Sequence, residues 1–237
     1  MEESFARVEI KYRLTQEQEK KIEQGLAKQG FAWMDFGDPT VQSLYYDTPD
    51  HALIRASLER PAYKEKLRLR AYGRPGTQNR FFVEIKKKYD GVVYKRREAY
   101  SLRTASRILD QGMLPKDAGQ VAREAKWMVK RYGLLPSAVI AYERDAWFSE
   151  QHPDVRITFD RNITFRQEDC SLLSRTPGLP LSEPGERLME VKTGGIYPLW
   201  LSRLLWEAEA ERIHFSKYGL AYERYIAKGK HKEVQYA

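Results

Sequence analysis

The sequence predicts an α+β fold: an eight-stranded antiparallel sheet able to close into a β-barrel, with helices packed outside. Three observations predict it. Two-residue periodicity recurs about eight times, and short turn signals between several of these segments favour antiparallel neighbours. Stretches of helical period stand between groups of strands without alternating with them, which argues against a doubly wound parallel sheet. The strands also share one grammar, seen in Lys66-Leu67-Arg68-Leu69-Arg70: leucines on one face and long cations on the other.

Phe5 to Leu14 alternates, with Arg7, Glu9 and Lys11 opposite Val8, Ile10 and Tyr12. Thr15 then caps a helix with Gln18 completing a capping box, and Gly30 marks its end. Gln42 to Asp47 reads as a strand ending at Thr48-Pro49, followed by a short helix through Leu53 and Leu58. Lys66 to Tyr72 and Arg80 to Lys88 are strands around a Gly73-Arg74-Pro75-Gly76 turn. Asp90-Gly91 is a hairpin signal leading into Val92 to Tyr100. Residues 101–132 read as two helices broken around Gly112 to Pro115. Strands return at Ser137 to Phe148 and Val155 to Phe165, residues 166–186 read as a polar loop, and Leu188 to Lys192 is the last strand. Leu199 to Ala210 and Lys217 to Ala227 read as helices, with Trp127, Trp200 and Trp206 expected in core packing.

No repeat or linker divides the chain, so residues 1–237 are expected to form a single domain with a core over about 5–226 and a polar tail over 227–237. Lys and Arg number 41 against 33 acidic residues, a formal charge of +8 that favours polyanionic partners. Cys170 is the only cysteine and the four histidines are scattered, which excludes an internal disulfide and a cysteine-based zinc site. No secretory leader or membrane-length apolar run is read, so a cytoplasmic location is expected, with a membrane partner left open.

The charged faces carry the functional reading. Same-sign pairs at i, i+2 recur: Lys66/Arg68/Arg70, Lys86/Lys88 and Lys95/Arg97. Two cations ~6 Å apart repel by about 3 kcal/mol at an effective dielectric near ~20. Several such pairs in a poorly hydrated interior would rival the net stability of a domain. Either the faces meet water, or they line the inside of the sheet around a polyanion. Glu9, Glu84 and Glu190 each lie beside a lysine, where a carboxylate is either an ion-pair partner or a ligand for a divalent cation.

With those residues in view, the chain resembles the triphosphate tunnel metalloenzymes, and more closely their VTC branch, the catalytic domain of the polyphosphate polymerases. The matching pieces are Arg7-Val-Glu-Ile-Lys11-Tyr12, Ser43-Leu-Tyr-Tyr-Asp-Thr-Pro49, Leu67-Arg-Leu-Arg70-Ala-Tyr-Gly73 and Phe82-Val-Glu-Ile-Lys86-Lys-Lys88. They continue in order with Tyr142-Glu-Arg144, Val155-Arg-Ile157 through Asp160, Met189-Glu-Val-Lys192 and Phe215-Ser-Lys217-Tyr218. The resemblance implies a basic tunnel that binds ATP and inorganic polyphosphate or triphosphate, with Mn²⁺ or Mg²⁺ as cofactor. It implies phosphate-binding roles for Lys11, Arg68, Arg70, Lys86, Arg144 and Arg156, with Lys192 beside them. Tyr142 and Ser216 would be hydrogen-bonding partners, Lys217 a cation near the reacting phosphates together with Arg144 and Arg156, and Glu190 the metal ligand. Arg7 stands where the wider superfamily has a glutamate, which disfavours a two-metal hydrolase.

The activity expected is phosphoryl transfer from ATP to a growing polyphosphate chain. The alternatives are a tripolyphosphatase or nucleoside triphosphatase of the same fold, and a non-catalytic polyphosphate- or RNA-binding module. The last would need Tyr45, Tyr46, Tyr72 or Trp147 to stack bases, and strand packing explains these aromatics better, so no nucleic-acid partner is expected.

Overall fold

A computed structural model describes residues 8–59, 61–74, 80–90 and 92–228. Phe5 to Arg7 of the expected first strand, Pro75 and Gly76 of the turn, Gly91 of the hairpin and the tail from 229 lie outside the described residues. The chain divides into two compact units. The first comprises Met1–Pro39, Tyr142–Ile163 and Ser182–Phe215; the second comprises Thr40–Ala141, Thr164–Leu181 and Ser216–Ala237. Neither is contiguous in sequence, so no linker marks a boundary between them.

The first unit is built from β1 (Val8–Leu14), α1 (Gln16–Lys28), β2 (Ala32–Trp33), the second half of β7 (Leu135–Phe148), most of β8 (Arg156–Arg166), β10 (Arg187–Thr193), α5 (Leu199–Glu207) and β11 (Glu211–Ile213). β1 pairs antiparallel with both β10 and β11, and β10 pairs antiparallel with β8. The predicted capping box starts α1: Gln18 N donates to Thr15 Oγ1 at 3.2 Å, and Thr15 N to Gln18 Oε1 at 2.8 Å. Ile22 and Leu26, one turn apart, are buried on a core with Tyr12, Leu14, Ile157, Phe159, Val191, Leu201 and Leu205. Gly25 permits the close approach of α5, because a Cβ there would sit 2.3 Å from Leu204.

The second unit holds β3 (Thr40–Asp47), α2 (Ala52–Leu58), β4 (Tyr63–Tyr72), β5 (Phe81–Tyr89), β6 (Val92–Tyr100), α3 (Leu102–Leu109), α4 (Gln120–Tyr132), the first half of β7, β9 (Leu179–Pro180) and α6 (Lys217–Ala221). β3, β4, β5 and β6 pair in succession, all antiparallel. The turn after β5 matches the sequence: Asp90 has φ +42° and Tyr89 pairs with Val92. Leu67, Leu69, Val83 and Ile85 form one apolar sheet face, which α3 and α4 cover through Ala105, Ile108, Leu109, Ala122, Ala125 and Met128.

The class is α+β, as expected, but the eight-stranded closed barrel is corrected. The sheet has eleven strands, and its path β11-β1-β10-β8-β7-β3-β4-β5-β6 ends without returning on itself. All eight expected strands form; β2, β9 and β11, of two or three residues, are the additions. Strands that short carry no readable period. Three smaller expectations also change. The 166–186 loop contains β9, and the last helix winds as a π-helix over Tyr222–Ile226, where Arg224 and Tyr225 donate to the carbonyls of Leu181 and Pro180. Trp200 packs against the first unit's core, but Trp127 and Trp206 lie on the outer faces of their helices and are exposed.

Phe159 is fully buried. Phe159→Ala is expected to cost about 3–5 kcal/mol, read as a lower urea midpoint at unchanged slope; a loss below ~1 kcal/mol would contradict this packing.

Candidate functional site

Strand alternation places the nine expected residues that lie on strands on the faces opposite the two cores, Ser216 and Lys217 start a helix, and the eleven divide between the units. Arg68, Arg70, Lys86, Ser216 and Lys217 lie in the second unit; Lys11, Tyr142, Arg144, Arg156, Glu190 and Lys192 lie in the first.

In the second unit, register turns separate sequence patterns into a cationic strip. Lys66 lies opposite Lys86, and Lys86 opposite Lys95, so three lysines form a row across β4, β5 and β6. The next row is Tyr45, Arg68, Glu84 and Arg97, and the one beyond it begins Ser43, Arg70, Phe82. Like charges directly opposite on adjacent strands are destabilising. Glu84, 1% exposed, is the carboxylate at the centre of this strip. Arg68 Nε donates to Glu84 Oε2 at 2.7 Å, Arg70 Nε lies 3.8 Å from the same oxygen, and the Lys95 ammonium lies 3.3 Å from Oε1. Burial pushes the Glu84 carboxyl up, but Arg68, Arg70 and Lys95 prevail and hold it at about 2.

Tyr45 completes the strip. Arg68 Nη1 donates to its oxygen at 3.1 Å, and its ring stacks on Tyr218 at 4.7 Å. Burial raises its phenol, while Arg68, Arg70 and Lys66 pull it below the ordinary value to about 8. Lys95 is also brought down to about 8, first by desolvation and then by Arg68 and Arg70, against the pull of Glu84. Sequence reasoning assigned Tyr45 to core and strand packing and counted Lys66 and Lys95 among the charged faces without naming them as phosphate-binding residues; the cross-strand register that joins them is not visible in any one segment.

Ser216 meets this strip at Lys66, and a buried network anchors the helix that Ser216 caps. Asp47 Oδ1 accepts from Thr48 N and Leu53 N, and Oδ2 accepts from Ile54 N and from the Tyr218 hydroxyl at 3.0 Å. That hydroxyl has one proton, so Ser137 Oγ, 2.9 Å away, donates to it and accepts from His51 Nδ1. Asp47 thereby holds the start of α6, where Ser216 caps the helix by accepting from Gly219 N and also accepts from Lys66 Nζ at 3.1 Å. Lys217 follows as the first helical residue.

In the first unit, Lys11 is opposite Glu190 and Glu190 opposite Thr158; Lys192 is opposite both Glu9 and Arg156. Glu190 pairs with Lys192 and lies 3.9 Å from Lys11, which donates to Phe215 O at 2.8 Å. Burial raises the Glu190 carboxyl, but Lys192, Lys11 and Arg144 hold it well below the usual carboxylate range. Arg144 grips the fully buried Asp160 with two bonds, Nε to Oδ1 at 2.6 Å and Nη2 to Oδ2 at 2.7 Å, and sits over the Tyr142 ring at 5.1 Å. Burial opposes its charge, yet Asp160 keeps it cationic. Arg156 is exposed at the start of β8. Beside Glu190, the buried Thr158 Oγ1 has no hydrogen-bond partner. An ionised carboxylate and an orphaned hydroxyl are hard oxygen donors that fit Mg²⁺ or Mn²⁺. Among the described residues no three His, Cys, Asp or Glu side chains cluster, so other ligands would have to come from phosphate or water.

Residues 6–226 match the VTC domain, and the chain belongs to that family. No curated protein matches it by sequence. A Bacillus halodurans protein described as a candidate adenylate cyclase shares the fold, with a TM-score of 0.52 at 13% identity over 89% of this chain and 95% of that one. The Pyrococcus horikoshii protein PH1819 aligns at 0.47 and 14% identity over 92% and 99% of the two chains. A Vibrio parahaemolyticus protein, also described as a candidate adenylate cyclase, aligns at 0.46 and 16% over 91% and 97%. Membership of the VTC-domain family supports a function directed at triphosphate-type substrates.

Two outcomes follow for the strip. Glu84→Gln leaves Arg68, Arg70 and Lys95 unopposed and is expected to cost about 3–5 kcal/mol. If the strip binds polyanions, added tripolyphosphate should raise the variant's melting temperature more than it raises the wild type's; equal shifts would count against anion binding there. Raising pH through 8 deprotonates Lys95 and ionises Tyr45, so the strip loses positive charge twice. Tripolyphosphate affinity should fall on the order of tenfold between pH 7 and 9, alongside a tyrosinate absorbance rise that Tyr45→Phe removes.

Proposed function

We propose that this chain is an ATP-dependent polyphosphate polymerase, a phosphotransferase that moves the γ-phosphoryl group of ATP onto the terminal phosphate of a polyphosphate chain. The observation that carries the reading is the row Lys66, Lys86 and Lys95 beside Arg68 and Arg70, gathered around a lone central carboxylate. A polyphosphate neutralises such a strip along its length, with charge at the spacing of its phosphates. Arg68, Arg70, Arg144 and Arg156 suit bidentate grips on phosphate oxygens, while Lys11, Lys86, Lys192 and Lys217 act as point charges. Tyr142 and Ser216 supply hydroxyl contacts.

The transfer breaks the bond between the γ-phosphorus and the β–γ bridging oxygen and forms one to a terminal oxygen of the acceptor chain. ADP leaves, and the chain grows by one phosphate. An acceptor oxygen that is already anionic needs no protein nucleophile, so these residues align the two phosphates and neutralise their charge. Glu190, with Thr158 beside it, would hold Mn²⁺ or Mg²⁺, which when bound supplies further neutralisation of the phosphate oxygens. ATP and inorganic polyphosphate are thus the proposed partners, with no nucleic acid. No helix among the described residues is long and apolar enough to cross a membrane.

Phosphorus NMR of the protein with ATP and Mn²⁺ is expected to show chain-internal phosphate accumulating with ADP. Arg70→Ala should slow it by about a hundredfold, and Glu190→Gln should abolish it with the fold intact by circular dichroism. Orthophosphate without polymer would replace this reading by the hydrolase, and full activity in both variants would overturn the residue assignment.

A further inference from the structure

The second unit contains a cavity of about 130 Å³ lined by Gln42, Thr164, Arg166, Ser174, Arg175 and Thr176, among others. Gln42 lies on β3 between Val41 and Ser43, so alternation points it to the sheet face opposite Ser43 and the cationic strip. Arg166 ends β8 and is only 9% exposed. A guanidinium that deep is ordinarily matched by a carboxylate. Here Nη1 donates to Thr176 O at 2.7 Å and Nη2 to Ser171 O at 2.6 Å, while the buried Nε has no partner. Carbonyl dipoles solvate the cation in part and leave its charge uncancelled. Arg175, exposed at the same cavity, forms no ion pair with any described residue.

The remaining polar groups sharpen the chemistry. Ser174 Oγ donates to Thr176 Oγ1, which donates to Asp169 Oδ2, so both hydroxyl protons are committed within the loop. Gln42 spends one amide proton on Gly73 O at 3.4 Å. The donors left over are the Arg166 guanidinium, the Arg175 guanidinium and the second Gln42 proton. Asp169 is the carboxylate in reach: the neighbouring Ser174 and Thr176 hydroxyls and the charge of Arg166 hold its carboxyl down. Two guanidiniums against one carboxylate leave the site net positive and rich in donors.

We infer that the cavity between the end of β8 and the 174–178 loop is a second anion site, built on Arg166 and Arg175, which takes one tetrahedral phosphate group. At about 130 Å³ the cavity has room for one such group. The phosphate is either free orthophosphate or the end group of a chain whose remainder stays in solvent. The assignment does not depend on the proposed polymerase activity, since none of these residues belongs to the cationic strip.

The test follows the amide resonances of Ser174, Thr176 and Gly178 during parallel titrations with inorganic phosphate and with tripolyphosphate. Saturable shifts are expected with a dissociation constant of about 1 mM or tighter. Arg175→Glu, at an exposed position without a partner, should weaken them at least tenfold, while Arg70→Ala in the strip leaves them unchanged. Tighter binding of tripolyphosphate identifies a chain end as the ligand, and equal or weaker binding identifies the free ion. Absence of saturable shifts, or an Arg175→Glu variant that titrates like wild type, would overturn the inference and leave Arg166 as a brace for its loop only.

Discussion

Repulsion among like charges is the constraint on which the rest of this structure depends. β4, β5 and β6 set lysine against lysine across neighbouring strands, an arrangement a sheet selected for stability alone would avoid. Glu84 offsets part of the cost, holding two arginines and a lysine with its two oxygens. The apolar face beneath offsets more, because Leu67, Leu69, Val83 and Ile85 are essentially removed from solvent under α3 and α4. The strip tolerates its charge because the other side of the same strands is a well-packed core.

The first unit solves the same problem differently. Each principal cation there already has a carboxylate: Arg144 has Asp160, and Lys11 and Lys192 share Glu190. Pre-paired cations are held in fixed geometry, and an arriving anion must compete with a resident one. In the second unit the shortage of carboxylates leaves more of the field available to a ligand.

Much of this was legible in the sequence, for a physical reason. Side chains alternate strictly along a strand, so the charged and apolar faces of β4, β5, β8 and β10 could be assigned from single segments, and Thr15 with Gln18 announced the start of α1. What stayed hidden depends on pairing. No local pattern says that Lys66, Lys86 and Lys95 share a row, that Tyr45 lies beside Arg68, or that Asp47 reaches the hydroxyl of Tyr218. Arg144 was reached only by resemblance, because Asp160, which explains it, is on another strand. The closed barrel failed for the opposite reason: the eight long strands were readable, but the short ones and the question of which edges meet are decided by backbone hydrogen bonds that leave no trace in composition. Trp127 and Trp206 show the limit of treating any large aromatic on an amphipathic helix as core.

The 14-residue β7 has a consequence for how the polypeptide can be handled. Its first half is a strand of one unit and its second half a strand of the other, and both units draw on segments from either side of it. Any genetic fragment ending within Leu135–Phe148 would strip a structural strand from two hydrophobic centres at once. Autonomous half-proteins are therefore not accessible by truncation, and material isolated after proteolytic nicking should remain associated as fragments or unfold together.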